Sequence, residues 1–76
     1  MNAWVDVTEW TPEPFISVLV SVKIWHKIDL TLFEHRTFTG YIDDEEEWTI
    51  NMDELHETLD KTVIGWAVLP NAYEGK

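Results

Sequence analysis

The chain contains no cysteine. That excludes disulfide staples and thiolate metal sites, and it gives no support to secretion as a cross-linked scaffold. No apolar run approaches the ~20 residues of a membrane-spanning helix, and no basic segment followed by an apolar one opens the sequence. These absences lead us to expect a soluble protein of the cytoplasm with no membrane contact. Basic residues are also scarce: five Lys and Arg stand against fifteen Asp and Glu, a formal net charge of −10. A surface this acidic repels nucleic acid and is steered toward basic partners. The plainer reading of the same charge is solubility, because a net charge far from zero keeps small proteins apart.

The vocabulary of catalysis is equally thin. There is no Gly-rich phosphate loop, no Gly-x-Ser-x-Gly and no His-Glu-x-x-His. Serine occurs only at Ser17 and Ser21, inside a strand-like stretch. His26, His35 and His56 have no short ligand spacing; Glu34 with His35, or His56 with Asp53 and Glu57, would form a metal site only through the fold. Carboxylates abound, but a general acid needs a desolvated carboxyl with a raised pKa, and a run of five carboxylates is the opposite environment. We therefore expect no enzyme, no catalytic residue, no cofactor and no metal. A calcium loop at Asp43–Glu47 would lack the spaced Asp-x-Asp-x-Asp-Gly pattern.

What the chain does have is aromatic bulk and one very regular stretch. Five Trp, three Phe and two Tyr offset the small core that 76 residues provide. From Phe15 to Trp25, Ile16, Val18, Val20, Val22 and Ile24 fall on one face, with Phe15, Ser17, Leu19, Ser21, Lys23 and Trp25 on the other. Period-two alternation with β-branched residues defines a half-buried strand. Before it, Met1 to Pro14 reads as an extended lead-in, in which Trp4, Val5 and Val7 form a short edge strand and Pro12 and Pro14 forbid regular pairing. After it, Trp25-His26-Lys27 reads as a turn, Ile28, Leu30 and Leu32 as a second strand, and Phe33 to Ile42 as further strand, either continuous with it or separate. Asp43 to Glu47 is a solvated loop and Trp48 to Asn51 a short strand. Asn51 with Glu54 resembles a capping box, and Met52, Leu55 and Leu59 recur at helical spacing, which predicts a short helix over Met52 to Asp60 docked on the sheet. Thr62 to Leu69 closes the fold and Asn71 to Lys76 is a polar tail. The expected architecture is α+β, in one domain over residues 1–76. It is a twisted antiparallel sheet of four or five strands with one helix on a face. The expected core is Ile16, Val18, Val20, Val22, Leu30, Leu55, Leu59, Trp66 and Val68.

Trp4, Val7, Pro12-Glu13, Val18-Leu19-Val20 and Trp66-Ala67-Val68-Leu69-Pro70 resemble the domain of unknown function 551, found in small phage and prophage proteins. The spacings from Trp4 to Pro12 and from Pro12 to Val18 match that pattern, and Trp48 stands for its internal tryptophan. Thr11, Phe15 and Gly65 depart from it, at positions where an apolar residue, a glycine and a histidine are usual. Asp43 to Lys61 looks like an acidic insertion. The resemblance implies a small β-rich domain of phage origin acting in the cytoplasm of a bacterial host, with Trp4, Trp48 and Trp66 as structural aromatics, and it implies no activity.

Between Thr37 and Asp60 there is no Lys or Arg, against nine acidic residues: Asp43, Asp44, Glu45, Glu46, Glu47, Asp53, Glu54, Glu57 and Asp60. Duplex DNA carries one negative charge per ~1.7 Å of axis, and a carboxylate array can occupy the same basic channel. With the phage resemblance, this leads to the expectation of an inhibitor of a host nucleic-acid-binding defence protein, such as a CRISPR effector or a restriction enzyme. Those carboxylates would form the contact, and Trp25 (or Trp10) an aromatic anchor. The competing expectation is a phage accessory protein that assembles through a sheet edge or as a homodimer.

Overall fold

The structure is a computed structural model and describes residues 4–70. Five strands form one antiparallel sheet: β1 (Val5–Asp6), β2 (Val18–His26), β3 (Phe33–Ile42), β4 (Trp48–Ile50) and β5 (Leu59–Val68), in the spatial order β1-β5-β2-β3-β4. β2, β3 and β4 form a meander, and β5 returns by a long connection to lie beside β2, the Greek-key arrangement, with β1 added outside β5. The alternation of the long apolar stretch is realised in β2. Val18, Val20, Val22 and Ile24 are buried on one face, with Phe38, Trp48, Ile50, Met52, Leu55, Leu59, Val63 and Trp66 packed around them. Ile42, Ala67 and Pro12 are also buried. Trp66 is fixed by its indole, whose Nε1–H donates to the Trp10 carbonyl at 3.0 Å and so ties the lead-in to β5.

The architecture is all-β, which corrects the expected helix: among the described residues there is none. Residues 51–56 instead form an irregular strap over the apolar face, and a turn at 57–58, closed by the Leu59 N–H donating to the His56 carbonyl at 2.9 Å, leads into β5. The reason is distance. Asn51 donates to the Thr39 carbonyl at the β4 edge, while Leu59 pairs with His26 at the other end of the sheet and two strands beyond β3. At ~3.3 Å per residue along the strands and ~4.8 Å between them, that diagonal is roughly 25 Å. A helix over these residues would reach only about 12 Å. Met52 and Leu55 still pack on the core, so the apolar spacing serves an irregular strap.

Other expectations are corrected as well. The stretch from Ile28 to Leu32 is the β2–β3 loop and not a strand, so β3 is a single strand beginning at Phe33. Asp29 directs this loop: its carboxylate accepts from the Thr31 N–H (3.1 Å) and hydroxyl (2.6 Å), and its carbonyl accepts from the Leu32 N–H. Leu30 is consequently exposed. β2 begins at Val18 because Phe15, at φ 64°, turns the chain out of extended geometry, which leaves Ile16 exposed. Val68, at 76% exposure, lies at the end of β5 with no cover among the described residues. Residues 1–3 of the lead-in and the tail from Asn71 lie outside the described residues.

Asp6 makes the same turn as Asp29. Its carboxylate accepts from the hydroxyl of Thr8 at 2.7 Å and from the Thr8 N–H at 2.8 Å. In each case these threonine hydrogen bonds, the hydroxyl bond first, hold the carboxyl below its ordinary aspartate value. A depressed folded pKa gives stability that is present above the unfolded value and is lost as pH falls through the folded one. Carboxyl NMR titration should therefore place Asp6 and Asp29 below the ~3.9 of a free aspartate. Thr8→Ala and Thr31→Ala should each raise the midpoint of their own partner only, and unmoved midpoints would refute these contacts.

Candidate functional site

The acidic run is a built hairpin tip between β3 and β4. The Asp43 N–H donates to the Glu47 carbonyl (2.9 Å) and the Glu46 N–H to the Asp43 carbonyl (3.1 Å), with Glu46 at φ 63°. This is a three-residue loop, a tight turn followed by a left-handed residue. Asp43 organises it by a second route, because its Oδ1 accepts from the Glu45 and Glu47 amides at 2.8 and 2.9 Å. Asp43 is thus half-buried and occupied as an internal cap. Asp44, Glu45, Glu46 and Glu47 are exposed, so four consecutive carboxylates project from a turn whose amides are tied down.

Gly40 anchors the base of this hairpin. A Cβ there would sit 2.5 Å from the Thr49 carbonyl oxygen on the facing strand. Only glycine permits the β3–β4 approach that carries the tip.

The other predicted site residues do not join the tip in one patch. Asp53, Glu54 and Glu57 are exposed on the strap. Asp60 and Trp25 are cross-strand partners on the opposite face of the sheet. They lie seven residues along β2 from Val18, roughly 23 Å from the hairpin end. Trp25 is half-buried and borders a shallow hollow with Lys23, Leu30 and Thr62, whereas Trp10 is 70% exposed. The array is therefore a tip with a carboxylate-bearing strap leading away from it.

Among the described residues, the Lys and Arg side chains belong to the part of the sheet away from the hairpin tip. Lys23 faces His35 and Thr62, Arg36 faces Val22, Lys61 faces Ile24, and Lys27 follows β2 directly. Lys23 Nζ stands 4.7 Å over the Phe33 ring, and Arg36 Nε lies 3.1 Å from Glu34 Oε1. The molecule is polar along its strands, with an acidic tip at one end and a mixed-charge end at the other. Sequence reasoning missed this because Lys23, Arg36 and Lys61 are far apart in the chain and meet only through strand register.

Among the described residues no group of three or more His, Cys, Asp or Glu is placed to hold a metal ion, and no buried side-chain polar atom lacks a hydrogen-bond partner. His56 is engaged locally, its Nδ1 accepting from the Thr58 N–H at 3.2 Å. No helix among the described residues is long and apolar enough to cross a membrane. No family model, curated protein or solved structure matches the chain.

Two substitutions test the hairpin. Glu46→Gly should raise stability by about 1 kcal/mol, since a left-handed backbone costs a side-chain-bearing residue roughly 1–2 kcal/mol. For a domain of this size that is a gain of about 4–8 °C in Tm. Gly40→Ala should lower stability by about 1–3 kcal/mol through overpacking. An unchanged melting temperature in both variants would show that the tip is not held as described.

Proposed function

We propose that the protein is a phage- or prophage-encoded binding protein that uses its acidic hairpin to occupy the basic nucleic-acid channel of a host defence protein. The single observation carrying this reading is the ordered presentation of Asp44, Glu45, Glu46 and Glu47 on an internally capped turn. A solubilising run has no need of defined backbone geometry, whereas a carboxylate array that competes with phosphates gains from being pre-organised. The position of the tip supports the same reading. It lies at the end of the sheet away from Lys23, Lys27, Arg36 and Lys61, so among the described residues no Lys or Arg stands beside it to neutralise it. Asp53, Glu54 and Glu57 extend the negative surface along the strap. The phage resemblance supplies the biological setting. Catalysis plays no part in this reading, and neither does a cofactor or direct nucleic-acid contact.

The test begins with recovery of the partner from a bacterial lysate at low salt, followed by binding measurements on the purified pair. Double-stranded DNA should compete with the protein for that partner, and the association rate should fall steeply as ionic strength rises. Joint charge reversal of Asp44, Glu45 and Glu46 to Lys should leave the fold intact by circular dichroism and weaken binding by about 100-fold or more. Unchanged affinity in that variant, or binding indifferent to salt and DNA, would overturn the reading.

A further inference from the structure

We propose that the outer edge of β3 is a self-pairing surface, through which two copies of the chain join their sheets about a two-fold axis at His35. The backbone directions follow from the register. The His26 N–H donates to the Leu32 carbonyl (3.0 Å), so from that point Glu34, Arg36 and Phe38 bond toward β2. Phe33, His35 and Thr37 therefore turn their N–H and C=O groups outward. β4 covers β3 only at Gly40–Ile42, and the Asn51 N–H takes the Thr39 carbonyl. Among the described residues, no backbone hydrogen bond reaches the outward groups of Phe33, His35 and Thr37. An uncovered edge of this kind is a template for another strand.

The side chains specify a second copy as the occupant. In an antiparallel pairing centred on His35, His35 meets its own copy and Phe33 meets Thr37 of the mate, giving about six backbone hydrogen bonds from the three outward-facing residues. The intervening, closely spaced positions place Glu34 opposite Arg36 of the mate, twice over. Opposite charges directly across a strand pair stabilise it and like charges oppose it. Glu34 and Arg36 already meet within one chain and are both more than half exposed, so each can also engage the mate. Moving the axis to Glu34 or Arg36 would set like charge against like, so the charges select the His35 register. The interface lies away from the acidic tip, so pairing keeps the tips of the two copies apart in a chain of net charge −10. Asp53 and Glu54 of the strap border the same hollow as Glu34 and Arg36 and give Arg36 a further acidic neighbour. The other open edge, on β5, is less suited. Lys27 donates to the Thr58 carbonyl and Val7 to the Ile64 carbonyl, which leaves Leu59, Lys61 and Val63 facing outward, with Lys61 at the centre facing its own copy and the bulge at Ile64 closing the end.

Sedimentation analysis of the full chain across roughly 10 µM to 1 mM spans the range expected of a small interface. It should show conversion of the 9.0 kDa monomer to a species of twice that mass. Arg36→Glu and Glu34→Arg should each be monomeric while retaining the wild-type circular dichroism. An equimolar mixture of the two should re-form a dimer, since one chain then offers only carboxylates and the other only guanidinium groups at the facing positions. An intrachain ion pair cannot produce that rescue. His35→Cys gives an independent measure that does not depend on charge variants. The paired Cα atoms would lie about 5.5 Å apart, within disulfide range. Mild oxidation should yield a covalent dimer of this otherwise cysteine-free chain, whereas Lys61→Cys should not. A wild-type chain that stays monomeric, a dimer indifferent to either charge reversal, or a mixture that fails to associate would each overturn the proposal. None of these outcomes bears on the acidic tip, whose partner binding is read in a separate assay.

Discussion

β2 is the constraint on which the rest of the structure depends. It is the one strand with a long partner on each side, and its inner face of Val18, Val20, Val22 and Ile24 is the buried centre of the protein. Every other element is placed by reference to it. β3 and β5 satisfy its two edges, the strap and Trp66 cover its face, and Pro12 with the Trp10 carbonyl closes one end. Among the described residues no helix or second sheet covers this face; a strap and large aromatics do so instead. The opposite face is left with Lys23, Trp25, Phe33, His35 and Thr62, a set compatible with partial exposure.

How much of this was legible follows from which forces act locally. β2 was readable because a central strand with unlike faces writes its alternation directly into the sequence. The hairpin was readable as a loop, but its left-handed residue was not, because Glu46 stands where glycine or asparagine would ordinarily announce the turn. Ile28, Leu30 and Leu32 alternate by coincidence, and the Asp29–Thr31 hydrogen bonds override the pattern. The strap was misread for a different reason. Met52, Leu55 and Leu59 have helical spacing, and nothing within the segment records that its ends must be far apart. That requirement belongs to the strand order, which local pattern does not contain. The same holds for the candidate surfaces. The carboxylate run is plain in the sequence, while its separation from Trp25, Asp60 and the basic residues emerges only from register.

The separation of charge along the strands gives the molecule two chemically distinct ends. At the hairpin end, backbone amides are consumed by Asp43 and the side chains beyond it are all acidic. At the other end, Glu34 pairs with Arg36 and Lys23 lies over Phe33, so charges are locally balanced and aromatic surface remains open. Surfaces of the first type attract partners over a Debye length and are sensitive to salt; those of the second act at contact. A protein with both can meet one partner through its field and another through its backbone without the two competing for the same residues.

The strand order also governs how the chain reaches this structure. β2, β3 and β4 can zip together through neighbouring turns, but β5, last of the five in chain order, lies between β1 and β2. One edge of the central strand therefore stays unsatisfied until a segment some forty residues downstream has crossed the sheet and docked. Loop closure on that scale precedes any reward from pairing, which places folding in the millisecond-to-second regime of non-local β proteins. Throughout that interval the most apolar strand of the chain is exposed to the solvent, and the dense negative charge downstream of it keeps such half-formed chains from finding one another.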